Sequence, residues 1–423
     1  MRTRVFHFLP AAITALGLSA CSAAEESPPQ AAAARPIQPA DLVYQGAFRL
    51  PEGSNETSWE WSGNALAYCP DGDPKGPADG YPGSLFGMGH DQQVLVSEIS
   101  IPAPVISKAK NVEELPVAKT LQPFRDVKAG NFKDYEIYRA GLAYLPAQGQ
   151  QTSGKLYFCF GQHMHEGYTG PTHGWCETDL SNPKVAGMWP VAEIHSYVTN
   201  DFLFPIPEAW ADTCAKGLRL ATGRYRDGGQ GGRGPSLIAI GPWLDGNPPA
   251  AGARLRAMTL LLYSAVDSGD QNTMRGYHHA DEWAGGAWMT AGDRAAVIFA
   301  GTKALGKCWY GFANGVVWPD EAPFPPIPPA PNDDRGWWGE RFAAQIIFYN
   351  PADLAAVAAG RAKPHEPQPY ASLDIDQYLY HVKSPQQKFH LRDIAFDRLR
   401  GILYVMEPWA DGDKPIIHVF RIK

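Results

Sequence analysis

Short apolar runs recur along the chain in pairs, each pair separated by a turn and closed by polar residues. Residues 65–69 (ALAYC) lead to 84–90 (SLFGMGH), and residues 141–145 (GLAYL) lead to 155–163 (KLYFCFGQH). The pattern returns at 286–291 (GAWMTA) with 296–303 (AVIFAGTK), and at 393–396 (DIAF) with 401–407 (GILYVME). A fifth unit shows only its second run, 217–224 (GLRLATGR). A third apolar run follows each pair, at 93–101, 175–180, 236–240, 345–349 and 416–422. Runs this short, rich in β-branched and aromatic residues and bounded by turns, predict strands rather than helices. A single unit cannot cover its own apolar faces, so the units must pack against one another.

The order of runs resembles the inner three strands of a β-propeller blade, and the resemblance extends over nearly all of residues 41–423. It implies an all-β fold, a β-propeller of five elaborated blades, or of six or seven if weaker blades are hidden. Five units give about 77 residues each, more than the ~40 to 50 of compact blades. The run at 42–50 (LVYQGAFRL) is complementary to the last one, so the terminal strands are expected to share a blade and close the ring. A pair of β-sandwiches is the competing arrangement.

The N-terminus has a different pattern. Arg2 and Arg4 precede an apolar stretch from Val5 to Leu18 without acidic residues, as in a signal peptide, and the stretch is too short to span a membrane permanently. Leu18, Ser19, Ala20 and Cys21 resemble the lipobox of bacterial lipoproteins, which implies cleavage after residue 20 and a lipid on Cys21. In the 19 residues 22–40, 11 are Ala or Pro, a composition suited to a semi-extended stalk. The expected organisation is therefore a signal peptide at 1–20, a lipidated stalk at 21–40 and a propeller at 41–423. Ser22 is not an aspartate-type retention signal, so the resemblance to Gram-negative lipoproteins implies the outer membrane, facing the periplasm or the cell surface.

Without residues 1–20 the chain holds 35 Lys and Arg against 44 Asp and Glu. That balance argues against nucleic acid as a partner. The expected partners are the membrane, through the lipid anchor, and an acidic polysaccharide or oligosaccharide, with the protein itself a monomer. The glycan expectation comes from a local reversal of charge. Lys216, Arg219, Arg224, Arg226, Arg233, Arg254 and Arg256 face only Asp227 and Asp245 between positions 216 and 256, and guanidinium groups suit carboxylate or sulfate. Ordinary solvated charges on alternating strand positions would give the same count.

In a propeller, the loops after second strands and before first strands share one face. The former supply His90, His163, His165, Arg224, Tyr225, Arg226, Lys303 and Glu407; the latter supply Glu60, Trp61, Tyr277, His278, His279, Asp281, Glu282 and His390. Elimination on a uronic acid needs a base, a group that neutralises the carboxylate and an acid for the leaving oxygen. His163 or His165 fits the base, Tyr225 the acid or base partner, and Arg224 or Arg226 the neutraliser. This set of residue types resembles that of the β-propeller polysaccharide lyases such as the ulvan lyases, whose seven blades differ from the five read here. Glu60, Trp61, His90, His278, His279, Asp281, Glu282, Lys303 and Glu407 are the expected substrate-binding residues. A glycosidase would instead use paired carboxylates from Glu60, Asp281, Glu282 and Glu407, and a non-catalytic propeller would only capture glycan or protein.

Two further features remain. Cys159, His163, His173 and Cys176 have the types and spacing of a zinc site, while Cys159 and Cys176 alone could form a cross-strand disulfide, the reading favoured in an oxidising compartment. Residues 319–331 hold seven prolines in thirteen and are expected to form a stiff extended loop rather than a strand.

Overall fold

The computed structural model describes residues 34–55, 57–73, 75–133, 135, 138–162, 167–224, 232–265 and 270–423. Five antiparallel sheets of four strands follow one another in chain order. The first blade is Leu66–Cys69, Ser84–Met88, Val96–Ser100 and Thr120–Arg125. The second is Tyr138–Leu145, Lys155–Gln162, His173–Cys176 and Ala186–Trp189. Phe202–Pro205, Leu220–Gly223, Leu237–Ile240 and Ala257–Leu261 make the third. Glu282–Ala291, Arg294–Gly311, Gly336–Tyr349 and Ala371–Asp374 make the fourth, where Arg35–Pro36 adds a short parallel strand against Arg294 and Ala295. The fifth is Ile394–Asp397, Ile402–Asp411, Lys414–Ile422 and, as its outermost strand, Leu42–Arg49.

The terminal strands thus close the ring as the sequence predicts. Val43 pairs with Arg421, Tyr44 with Phe420 and Phe48 with Ile417 across an antiparallel ladder. The chain is a five-bladed β-propeller, and the described residues form no pair of sandwiches.

Strand alternation explains why the inner runs are continuously apolar. Each blade is covered on both faces, so successive side chains enter different inter-blade cores. Leu203 packs between the second and third blades, while its neighbours Phe202 and Phe204 pack between the third and fourth. Trp288 likewise joins the core between the third and fourth blades, and Ala287 and Met289 the one between the fourth and fifth. The inner strands converge where side chains are small. A Cβ on Gly141 would lie 2.6 Å from the Leu203 nitrogen, and one on Gly285 would lie 2.7 Å from the Ile394 nitrogen.

Where the inner strands finish, this convergence leaves little space on the axis. Leu66, Leu142, Leu203, Gly286 and Ile394, each followed by two residues of the same strand, surround a void of only ≈ 40 Å³. Arg398 caps it at the end where the inner strands finish, its Nη2 donating to the Pro205 carbonyl at 2.8 Å.

The proline-rich segment forms no strand and joins the two long strands of the fourth blade. Trp318 and Phe324 stack at 4.9 Å, and Arg335 lies over the Trp318 ring.

Candidate functional site

The inner strands all begin at one face, and register puts the ends of the second strands there too: Tyr138 pairs with Gln162 and Phe202 with Gly223. The described parts of this face hold most of the expected site residues, but their partners divide them into two groups.

The first group is committed to the fold. Glu407 is buried, meets His418 Nε2 at 2.7 Å, and accepts the backbone N–H of Tyr380 at 2.8 Å and of His381 at 2.6 Å. His418 Nδ1 is 3.0 Å from the Tyr44 hydroxyl, so the carboxylate anchors the closing blade instead of facing the funnel. Asp281 is equally occupied: it pairs with Lys303 Nζ at 2.8 Å and accepts N–H groups from His278 and Ala304, each at 2.9 Å. Burial raises its pKa to about 6 despite that cation. Lys303 is spent on the same pair and on the Ala304 carbonyl. Glu282 begins the inner strand of the fourth blade, opposite Thr302.

The zinc set and the disulfide are both taken apart by strand parity. Cys159 lies in the core between the second and third blades, and Cys176 in the core between the first and second. Cys176 pairs with Leu156 while Cys159 pairs with His173, so the two thiols point to opposite sides of one sheet. All five described cysteines are free. His173 is itself buried, with Nδ1 2.8 Å from the Thr172 hydroxyl and Nε2 3.0 Å from that of Thr222.

The basic run does not form one patch. Arg219 pairs with Glu208 and Asp212, Arg254 with Glu193, and Arg256 with Asp245. Among the described residues of that run, only Arg224 is buried. It is 1 % exposed, its Nε and Nη2 donate to the Gly234 carbonyl at 3.0 and 2.8 Å, and Gly232 packs onto the guanidinium. It is a fixed buried cation and not an extended arm that could grip a substrate carboxylate, the role its residue type suggests. Burial lowers its pKa to about 9, against the opposing pull of Tyr277 and Asp201.

The second group lies on the same face as this cation. His195 feels its field, and burial first and Arg224 second hold the imidazole below its ordinary pKa. His195 Nδ1 is buried without a hydrogen-bond partner. The Tyr277 hydroxyl is 3.2 Å from His279 Nδ1, and His279 stacks on Trp337 at 4.4 Å. Asn200 is 1 % exposed, and neither its side-chain oxygen nor its nitrogen has a partner. Its amide fills the space that a side chain at Gly161 would need. These residues lie near one another because the third blade begins at Phe202 and the fourth at Glu282, so residues 195–201 and 277–281 lead into neighbouring inner strands at the same face.

Other expected residues lie elsewhere on the face. His90 meets Asp91 at 3.3 Å and borders a groove with Ser54, Thr57 and Gln93. Glu60 and Trp61 are exposed beside the first blade. His390 is buried, its backbone donating to the Thr302 hydroxyl. His163, His165, Tyr225, Arg226 and Cys21 lie outside the described residues.

His195, Asn200 and Asp201 escaped the sequence reading because the short inner strand Phe202–Pro205, which ends in proline, was not read as a strand. Once it is placed, these residues occupy the position before a first strand, the same rule that singled out Tyr277 and His279.

No family model matches the chain, and no curated protein does. Among solved structures, it is matched to the β-propeller domain of Myceliophteria thermophila Cps50 (Swd1), with 10 % identity over 88 % of this chain and 100 % of that one. The TM-score is 0.24, which carries no argument. The assignment of the fold rests on the strand order and ring closure described above.

Proposed function

We propose that this propeller is a polysaccharide lyase that cleaves acidic, uronic-acid glycans at the face where its third and fourth blades begin. The observation that carries the reading is the placement of His195 and Tyr277 within the field of the buried Arg224 cation, with His279 3.2 Å from the Tyr277 hydroxyl. β-Elimination removes the proton beside the carboxylate, forms a carbon–carbon double bond and breaks the bond to the leaving sugar oxygen, which takes up a proton. A neutral imidazole suits the first step, and the depressed pKa of His195 keeps it neutral near pH 7. The hydrogen bond between Tyr277 and His279 gives the phenol a partner with which to exchange the proton that the leaving oxygen needs. A buried cation favours the negative charge that develops beside the carboxylate. His163, His165, Tyr225 and Arg226 remain proposed members of this set on the strength of their residue types.

The hydrolase alternative draws less support, since Asp281 and Glu407 are each buried against a basic partner. Tethering through Cys21 would hold the enzyme at the outer membrane. The test is incubation with a panel of uronic-acid polysaccharides while ultraviolet absorbance reports unsaturated ends. Tyr277→Phe and His195→Gln should each slow the reaction by about 10²-fold or more. Absence of the signal with every polysaccharide, or full activity in both variants, would overturn the proposal.

A further inference from the structure

Across the same face, between the fifth and first blades, three aromatic residues form a cluster that the proposed elimination does not use. Trp61 and Trp409 meet edge to face at 6.1 Å, and Phe389 lies 6.0 Å from Trp409. Their backbones have φ of 55°, 57° and 57°. A bulky side chain in the left-handed region is strained, and such strain persists only where surrounding structure enforces it. Among the described residues four aromatics adopt this conformation, and three of them are here. Core packing does not account for it, since Trp61 is 48 % exposed. Its backbone is instead pinned by donating to the Asp413 carbonyl at 2.9 Å.

A cation accompanies the rings. The Arg392 guanidinium carbon is 4.8 Å from the centre of Phe389 and 5.8 Å from that of Trp409. Gly63 makes room for this side chain, since a Cβ there would stand 2.8 Å from its Cγ.

We infer that Trp61, Phe389 and Trp409 form a sugar-binding platform for a uronate unit of a polysaccharide, remote from Arg224. An indole face covers the C–H face of a pyranose ring, and the guanidinium pairs with its carboxylate. The inference shares the acidic-glycan part of the proposed function and is independent of the elimination step.

The test is fluorescence titration of the full chain with oligomers of galacturonate, mannuronate and glucuronate, and with a neutral glucan oligomer for comparison. At least one uronate oligomer should bind, Trp61→Ala and Trp409→Ala should each weaken it about tenfold, and Arg392→Gln should abolish the preference over the neutral glucan. A thermal melt of Trp61→Ala like that of the parent separates lost binding from lost fold. Absence of binding by every oligomer, or unchanged affinity in Trp61→Ala, would overturn the platform. If no polysaccharide is cleaved yet Trp61→Ala weakens binding, the lyase reading falls and the platform stands. If cleavage occurs and Trp61→Ala binds as the parent does, only the platform falls.

Discussion

Replacing His173 by glutamine should flatten a specific part of the protein's stability profile. The imidazole is buried between two threonine hydroxyls. Since the Thr222 hydroxyl donates to the Thr199 carbonyl, it accepts from His173 Nε2–H, which leaves Nδ1 to accept from Thr172. The side chain is thus satisfied as the neutral tautomer. Burial lowers its pKa from the usual 6.5 to about 3. Between those values the unfolded chain binds a proton that the folded chain does not, so stability is lost as pH falls through this window. The slope approaches about 1.4 kcal/mol per pH unit, which integrates to roughly 2.3 kcal/mol between pH 6.5 and 4.5. Glutamine keeps one donor and one acceptor but does not titrate. Urea unfolding at half-unit steps from pH 7.5 to 4.5 would give both profiles. The expected result is a wild-type curve that falls more steeply than that of His173→Gln by about 3 kcal/mol over the range. Parallel curves would refute the placement of a neutral, buried His173.

Other expectations follow from the same structure. Glu407→Ala strands His418 and two backbone N–H groups, so it should cost about 3–5 kcal/mol in urea unfolding; loss of glycan cleavage with unchanged stability would instead put Glu407 in the site. Deleting residues 42–49 removes the outer strand of the closing blade and bares the edge at Lys414–Ile422, so the cooperative thermal melt should be lost, and a melt like the parent's would contradict closure. Cys21→Ser should move the protein from the membrane to the soluble fraction and block lipid labelling; retained labelling would contradict the anchor.

The parts of the fold legible in the sequence are those buried on both faces. Runs such as Leu66–Cys69 and Ile402–Asp411 lie between two cores, so their apolar residues stand out whatever the alternation. The outer strands were unreadable for the opposite reason. Thr120–Arg125 is exposed at most positions, and Ala371–Asp374 buries none of its residues completely. The third blade hid its inner strand because Phe202–Pro205 is four residues long and followed by a second proline at 207. That one omission concealed His195, Asn200 and Asp201. Residue type also misled where partners were invisible: a cysteine pair seventeen apart looks like a bridge until register sends the two to opposite faces, and Glu407 looks catalytic until His418 is found beside it.

Cleavage in ¹⁸O-labelled water tests the central claim most directly, because elimination breaks the glycosidic link without adding water while hydrolysis adds one oxygen to each new reducing end. Mass spectrometry of the fragments from a uronic-acid polysaccharide is expected to find unsaturated ends without ¹⁸O. Saturated fragments carrying one ¹⁸O per cleavage, or no fragments from any such polysaccharide, would contradict that claim.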